Sequence, residues 1–182
     1  MPLTWSRAIA WWDDDRGTLV RYADGPTTEV EVFVAAPVER VWELITDINL
    51  PARFSTEFQG ARWLDDGPAV RARFVGRNHH PAAGEWETTC VVTACEIDRR
   101  FEWTVGDPDH PSARWRLDLE PVQGGVRLRQ WAQIGPGPSG LTPAIEAMPD
   151  KEERIVAHRL AEHHSNMQAT VEGIKRLAES TT

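Results

Sequence analysis

The stretch "TEVEVFVAAPVERVWELITDINLPARFS", residues 28–55, decides how the rest of the chain is read. Its opening alternates, with Val30, Val32 and Val34 on one face, which is the pattern of a half-buried strand. Pro37 stands where a helix tolerates proline, at its first position. Val41, Trp42, Leu44 and Ile45 then form an apolar stripe, so a short helix is expected directly after the strand. "DINLPARFSTEF" (47–58) reads as a second short helical or irregular segment carrying Phe54 and Phe58.

Downstream, strands alternate with turn residues. "AVRARFVGR" (69–77) puts Val70, Ala72, Phe74 and Gly76 on one side. "EWETTCVVTACEI" (85–97) does the same with Trp86, Thr88, Cys90, Val92 and Ala94. Phe101, Trp103 and Val105 follow, then Trp115, Leu117 and Leu119. After Gly124-Gly125 comes the set Val126, Leu128, Gln130, Ala132 and Ile134. Such clean alternation belongs to antiparallel strands with one wet face. Beyond the Gly/Pro-rich "GPGPSGLTP" (135–143), one helix is expected from Asp150 to Glu179, roughly 45 Å long. Asp150 with Glu153 reads as a capping box, and Lys175 and Arg176 suit the far end of the helix dipole. Its stripe is Val156, Leu160, His163, Met167, Val171, Ile174 and Leu177.

The whole chain has 182 residues, the size of one ordinary domain. Residues 1–26 lack a clear period and read as an extension of unknown role, expected to pack on the domain through Trp5, Trp11 and Trp12. Residues 27–182 read as one folded domain. The net charge of -8, with basic residues scattered among acids, argues against a nucleic-acid partner. No stretch approaches the roughly 18 apolar residues of a membrane span. The N-terminus has no signal-peptide layout, because Trp11-Trp12 runs into Asp13-Asp14-Asp15, and a cytoplasmic location is expected. Cys90 and Cys95, five apart, are expected on opposite faces of one strand, too far apart to bridge. Nine tryptophans against one tyrosine demand a core, a pocket or an interface.

Three segments carry a resemblance: "FVAAPVERVWELITDINLPARFS" (33–55), the strand start "GEWE" (84–87) and "NMQATVEGIKRLAE" (166–179). They resemble the START-like (SRPBCC) superfamily, which includes the birch-pollen allergen proteins and the polyketide cyclase/dehydrase and lipid transport family. Single-domain bacterial aromatase/cyclases are the nearest likeness. The resemblance implies an α+β helix-grip (Bet v 1-like) fold, in which a curved antiparallel sheet wraps a long C-terminal helix around an apolar cavity. In the aromatase/cyclases an arginine enters that cavity from the strand after the "W-E" start. By register it falls here at Val92, while two further aromatic cavity positions fall at Thr88 and Gln130.

Within that frame the expected ligand-binding set is Phe54, Phe58, Phe74, Trp86, Thr88, Cys90, Trp103, Trp115, Gln130, His163, Asn166 and Met167. His163, a lone histidine in an apolar stripe, is the candidate base, kept neutral by burial. Glu162 is expected to be solvated, and Cys90 reads as a small buried residue. "RNHH" (77–80) reads as a solvated hairpin tip, since adjacent histidines on an extended chain point apart; no metal and no cofactor is expected. The expected partner is a small hydrophobic molecule, aromatic, polyketide or lipid-like, with cyclisation or dehydration as the chemistry if there is turnover. The alternatives are a carrier, a sequestration or resistance protein, a sensor, or a co-chaperone-like interaction module. The oligomeric state is left open.

Overall fold

The computed structural model describes residues 20–180. The expected extension contacts of Trp5, Trp11 and Trp12 lie outside the described residues. β1 (Thr27–Val34) leads into α1 (Val38–Ile45), and a 3-10 turn (Leu50–Arg53) leads into β2 (Phe58–Trp63). Then follow β3 (Arg73–His80), β4 (Gly84–Glu96), β5 (Arg100–Val105), β6 (Ala113–Val122) and β7 (Gly125–Ile134). A short α2 (Thr142–Ala147) precedes α3 (Glu152–Glu179), which closes the chain. The seven strands form one antiparallel sheet in the order β1-β7-β6-β5-β4-β3-β2. Each hairpin therefore adds a strand beside the last, and only β1 crosses back to lie beside β7. This is the helix-grip arrangement.

α3 lies across the apolar face of the sheet. Its Met167, Val171 and Ile174 are buried in one core with Val30, Val34, Leu117, Leu119 and Leu128, while Val156 packs in a second cluster with Tyr22 and Ile134. No helix among the described residues is long and apolar enough to cross a membrane. Glu152 accepts the Tyr22 N–H at 2.8 Å, while the Tyr22 hydroxyl donates to the Gly137 carbonyl at 2.8 Å. The segment before β1 is thereby tied to the start of α3.

Four local expectations change. The β3–β4–β5 region contains a bulge between Val92 and Ala94, where two residues of β4 face one step of β5. Beyond it the alternation reverses: Cys95 pairs with Phe101 and Ala94 with Glu102, so Cys95 rather than Ala94 takes the inner face. Cys90 and Cys95 consequently share a face instead of opposing each other. Second, β3 starts only at Arg73, because Asp65 accepts the Arg73 N–H at 2.8 Å and its guanidinium at 3.0 and 3.1 Å. Arg71 in the turn before it adopts φ 74°, and Val70 is left exposed. Third, Pro149–Lys151 is a 3-10 turn and α3 begins at Glu152 with no side-chain cap, so the Asp150–Glu153 capping box does not form. Glu152 and Glu153 still place negative charge in the first turn, where the helix dipole favours it.

Fourth, Phe54 belongs to the scaffold. Its ring fills the notch left by Gly173 in the middle of α3, with the Arg53 and Arg176 guanidinium groups 5.7 and 5.9 Å from the ring centre. A Cβ at position 173 would collide with that ring. Gly173→Ala is therefore expected to destabilise the protein by about 1–3 kcal/mol in urea unfolding, although alanine is the better helix former. The double change Gly173→Ala with Phe54→Leu should recover part of that loss. An unchanged or raised unfolding midpoint for Gly173→Ala would remove Phe54 from this role.

Candidate functional site

Between α3 and the inner face of the sheet is an unfilled cavity of about 150 Å³. Inward positions of successive strands build its walls, and they carry aromatic residues in neighbouring registers. Trp103 of β5 pairs directly with Trp115 of β6, and their rings stack at 6.4 Å and 13°. Phe74 of β3 meets Trp103 edge-on at 6.0 Å, and Phe101 lies 5.5 Å from it. The row ends on α3, where His163 meets Trp115 at 4.9 Å and 84°. Phe58 and Met167 complete the apolar surface together with Leu44, Ile45 and Ile48 from α1 and the loop after it.

The lining is mainly apolar, with polar groups from Asp47, Ser55, Glu57, Asn78, Thr88, Gln130, His163, Asn166 and Thr170. His163 is 7% exposed; burial, with the nearby Arg159 charge, pushes its pKa down to about 3 and keeps the ring neutral. Gln130 is also 7% exposed, and its carboxamide oxygen is buried with no hydrogen-bond partner. Thr88 faces the space from β4. Cys90 borders it as a thiol, because burial pushes its pKa up to about 12 against a weak contact to the Thr88 carbonyl. A thiol held protonated is a poor nucleophile. Asn166 lines the cavity, but its Oδ1 is taken up by the Thr56 N–H and hydroxyl at 3.0 and 3.1 Å.

Ten of the twelve expected ligand-binding residues thus border one space: Phe58, Phe74, Thr88, Cys90, Trp103, Trp115, Gln130, His163, Asn166 and Met167. Two do not. Phe54 is committed to Gly173 as described, and Trp86 is half-exposed and does not border the space, although its cross-strand partner Asn78 does. Val92, in register with the arginine of the aromatase/cyclases, is a core residue at 1% exposure and does not border the space.

Arg77 and His79 of the hairpin tip are exposed, as expected, whereas His80 and Glu162 are engaged with each other. Ala82 donates its N–H to His80 Nδ1 at 3.1 Å, which leaves the proton on Nε2 and aims it at Glu162 Oε1, 3.0 Å away. Arg159 grips Glu57 with two bonds of 2.6 Å and reaches Glu162 at 3.1 Å. Desolvation would raise the Glu162 pKa, but the His80 and Arg159 contacts outweigh it and hold the carboxylate below its usual range. Desolvation likewise works against the Arg159 charge, and the two carboxylates overcome it. This clasp joins three elements: the loop before β2, the β3–β4 hairpin and α3. Beside it is a polar recess of about 440 Å³ lined by Thr56, His79, His80, Glu162 and Ser165, which shares Glu57 and Asn166 with the apolar cavity. Sequence spacing could have flagged only the Arg159–Glu162 pair; the partners Glu57 and His80 are 102 and 82 residues away.

A family model described as polyketide cyclase / dehydrase and lipid transport matches residues 26–179. No curated protein sequence matches the chain significantly. Among solved structures, a polyketide-cyclase-like protein from Corynebacterium glutamicum is 31% identical, with a TM-score of 0.60 over 84% of this chain and 91% of that one. The di-domain ARO/CYC StfQ from the steffimycin biosynthetic pathway is 15% identical, with a TM-score of 0.65 over 85% of this chain and 50% of its own. Ara h 8.0201 is 12% identical, with a TM-score of 0.56 over 86% and 99%. The latter two share the fold.

Two measurements test the electrostatics. Glu57 and Arg159 are 12% and 18% exposed, so Arg159→Ala leaves a desolvated carboxylate and should cost about 3 kcal/mol in urea unfolding. A loss below about 0.5 kcal/mol would reduce the clasp to a surface pair. The His163 shift also has a sign. Between its ordinary value of 6.5 and about 3, the unfolded chain takes up a proton that the folded one refuses. Stability is therefore lost as pH falls through that window, at up to about 1.4 kcal/mol per pH unit. His163→Leu should flatten the unfolding midpoint between pH 6 and pH 4.5 relative to wild type, and equal slopes would contradict the buried neutral ring.

Proposed function

The chain belongs to the polyketide cyclase / dehydrase and lipid transport family, and from that premise we propose that it binds a small aromatic or otherwise apolar molecule in the cavity under α3. The carrying observation is the unfilled volume itself. Protein interiors are close-packed, so a space of about 150 Å³ left among core side chains is a departure from ordinary packing. Phenylalanine at Thr88 or Gln130 would fill part of that space, so the residues present there leave room for a guest. The stacked Trp103–Trp115 pair supplies flat surface, and His163 with Gln130 supplies neutral hydrogen-bonding groups. A cavity of this volume suits one or two fused rings.

Binding without turnover is the reading the side chains support best. A base whose conjugate acid has a pKa of about 3 is weak for abstracting protons near neutral pH. Cys90 is held as a thiol. The second reading, cyclisation or dehydration of a poly-carbonyl substrate, draws on the family description and on confinement in one geometry. In it His163 acts as the base, with Gln130, Thr88 and Asn166 orienting carbonyl groups. Carrier, sequestration and sensor roles all follow from binding alone. A co-chaperone-like module would call for an interior filled by its own side chains, contrary to the open volume.

Titration with naphthalene-sized aromatics and with fatty acids, followed by tryptophan fluorescence, separates these readings. One aromatic class should quench saturably at one equivalent. Trp103→Phe should diminish the signal and Trp86→Phe should leave it nearly intact, since Trp103 borders the cavity and Trp86 does not. Absence of saturable binding by every compound would sink the proposal. Product accumulating over repeated cycles would replace it with the catalytic reading.

A further inference from the structure

The cavity wall carries two carboxylates, Asp47 and Glu57, and among the described residues no lysine or arginine. A basic group does stand next to it. Arg159 lies one turn before His163 on α3, on the same helix face. Its field reaches the interior, where it joins burial in holding His163 neutral. Yet both Glu57 oxygens occupy its guanidinium at 2.6 Å, and Glu162 takes a further contact at 3.1 Å. Glu57 thus borders the cavity with its face while cancelling the one adjacent cation described.

An acidic guest would lose its hydration here, find no unoccupied cation, and face the Glu57 and Asp47 carboxylates. An uncharged hydroxyl or carbonyl meets different company. The Gln130 carboxamide and the neutral His163 ring each offer both a donor and an acceptor, and neither has a side-chain hydrogen-bond partner among the described residues.

We propose that Glu57, by saturating Arg159, makes this cavity selective for uncharged aromatic ligands bearing a hydroxyl or carbonyl group and sets it against carboxylates of the same size. The inference rests on the reading that the cavity binds an apolar molecule. It assigns Glu57 a specificity role and separates hydroxy- or keto-aromatic guests from fatty acids within the broad class of hydrophobic ligands.

The test compares three molecules of one shape, naphthalene, 2-naphthol and 2-naphthoate, binding at pH 7.5 to the wild-type protein, Glu57→Gln and the double variant Glu57→Gln with Arg159→Met. In wild type, 2-naphthol should bind about tenfold more tightly than naphthalene, the worth of about one hydrogen bond. It should also exceed 2-naphthoate by at least about tenfold, the cost of an unpaired buried charge. In Glu57→Gln the naphthoate-to-naphthol affinity ratio should rise by at least about tenfold, because one edge of the guanidinium is released. In the double variant that gain should vanish. Naphthoate binding as well as naphthol to wild type overturns the selectivity, and an unchanged ratio in Glu57→Gln overturns the assignment to Glu57. If Glu57→Gln loses its near-ultraviolet circular dichroism, the double variant, which removes both charges together, and the wild-type comparison still decide the matter. Naphthalene binding without charge discrimination defeats this inference alone; failure of all three molecules to bind defeats the cavity reading with it.

Discussion

One helix has to cover one face of a seven-stranded sheet, and the dimensions do not match. Strands at about 4.8 Å spacing make a sheet roughly 29 Å wide, against about 10 Å for a helix with its side chains. A flat sheet would leave most of its apolar face in water. The sheet therefore has to curl, and the irregularities after Phe58 and Val92 are where its ladder departs from regular pairing. Curling brings β1 and β7 against α3 and leaves the middle strands further off. α1 and the loop after it cover part of that remainder. What neither covers is the cavity, whose position follows from the fold before any side chain is chosen.

The side chains then decide what the leftover space is. At Phe74, Trp103 and Trp115 they are large enough to form flat walls, and Trp115 meets α3 edge-on at His163. The open end is secured by charge instead of apolar contact. A buried pair such as Glu57–Arg159 gains little over a well-packed hydrophobic pair. Its value lies in geometry: the bidentate grip and the Thr56–Asn166 bonds hold a loop without helix or strand structure at one place on α3. Apolar side chains there would have been free to slide into the cavity.

The strands and the long helix were legible because burial on one face writes alternation into a strand and a stripe into a helix. Ten of the expected cavity residues follow from that periodicity joined to the family likeness. The failures share a cause, which is that period alone does not locate an interruption or a distant partner. Nothing in "CVVTAC" (90–95) marks the bulge that turns Cys95 inward. Phe54 looks like a cavity aromatic until Gly173, far along the chain, is seen to have made room for it. Trp86 has the right parity, yet at its level of the sheet it is the neighbour Asn78 that borders the space. His80 and Glu162 each read as solvated because neither one's neighbours in sequence announce the other.

Along the inner face of α3 the residues at turn spacing are Arg159, His163, Met167, Thr170, Val171 and Ile174, an order that runs from charged through neutral polar to almost wholly apolar over roughly 22 Å. Low dielectric explains the order. A full charge is tolerated only at the end where Glu57 and Glu162 can reach it; one turn inward the histidine survives by giving up its proton; beyond that the buried positions are apolar apart from Thr170, whose hydroxyl is satisfied by the Asn166 carbonyl at 2.8 Å. Under the proposed binding a guest meets the same gradient: its ring would lie against Trp103, Met167 and Ile174, and a neutral polar group on it would face Gln130, His163 and Thr88. The helix that closes the fold would thereby also orient that guest.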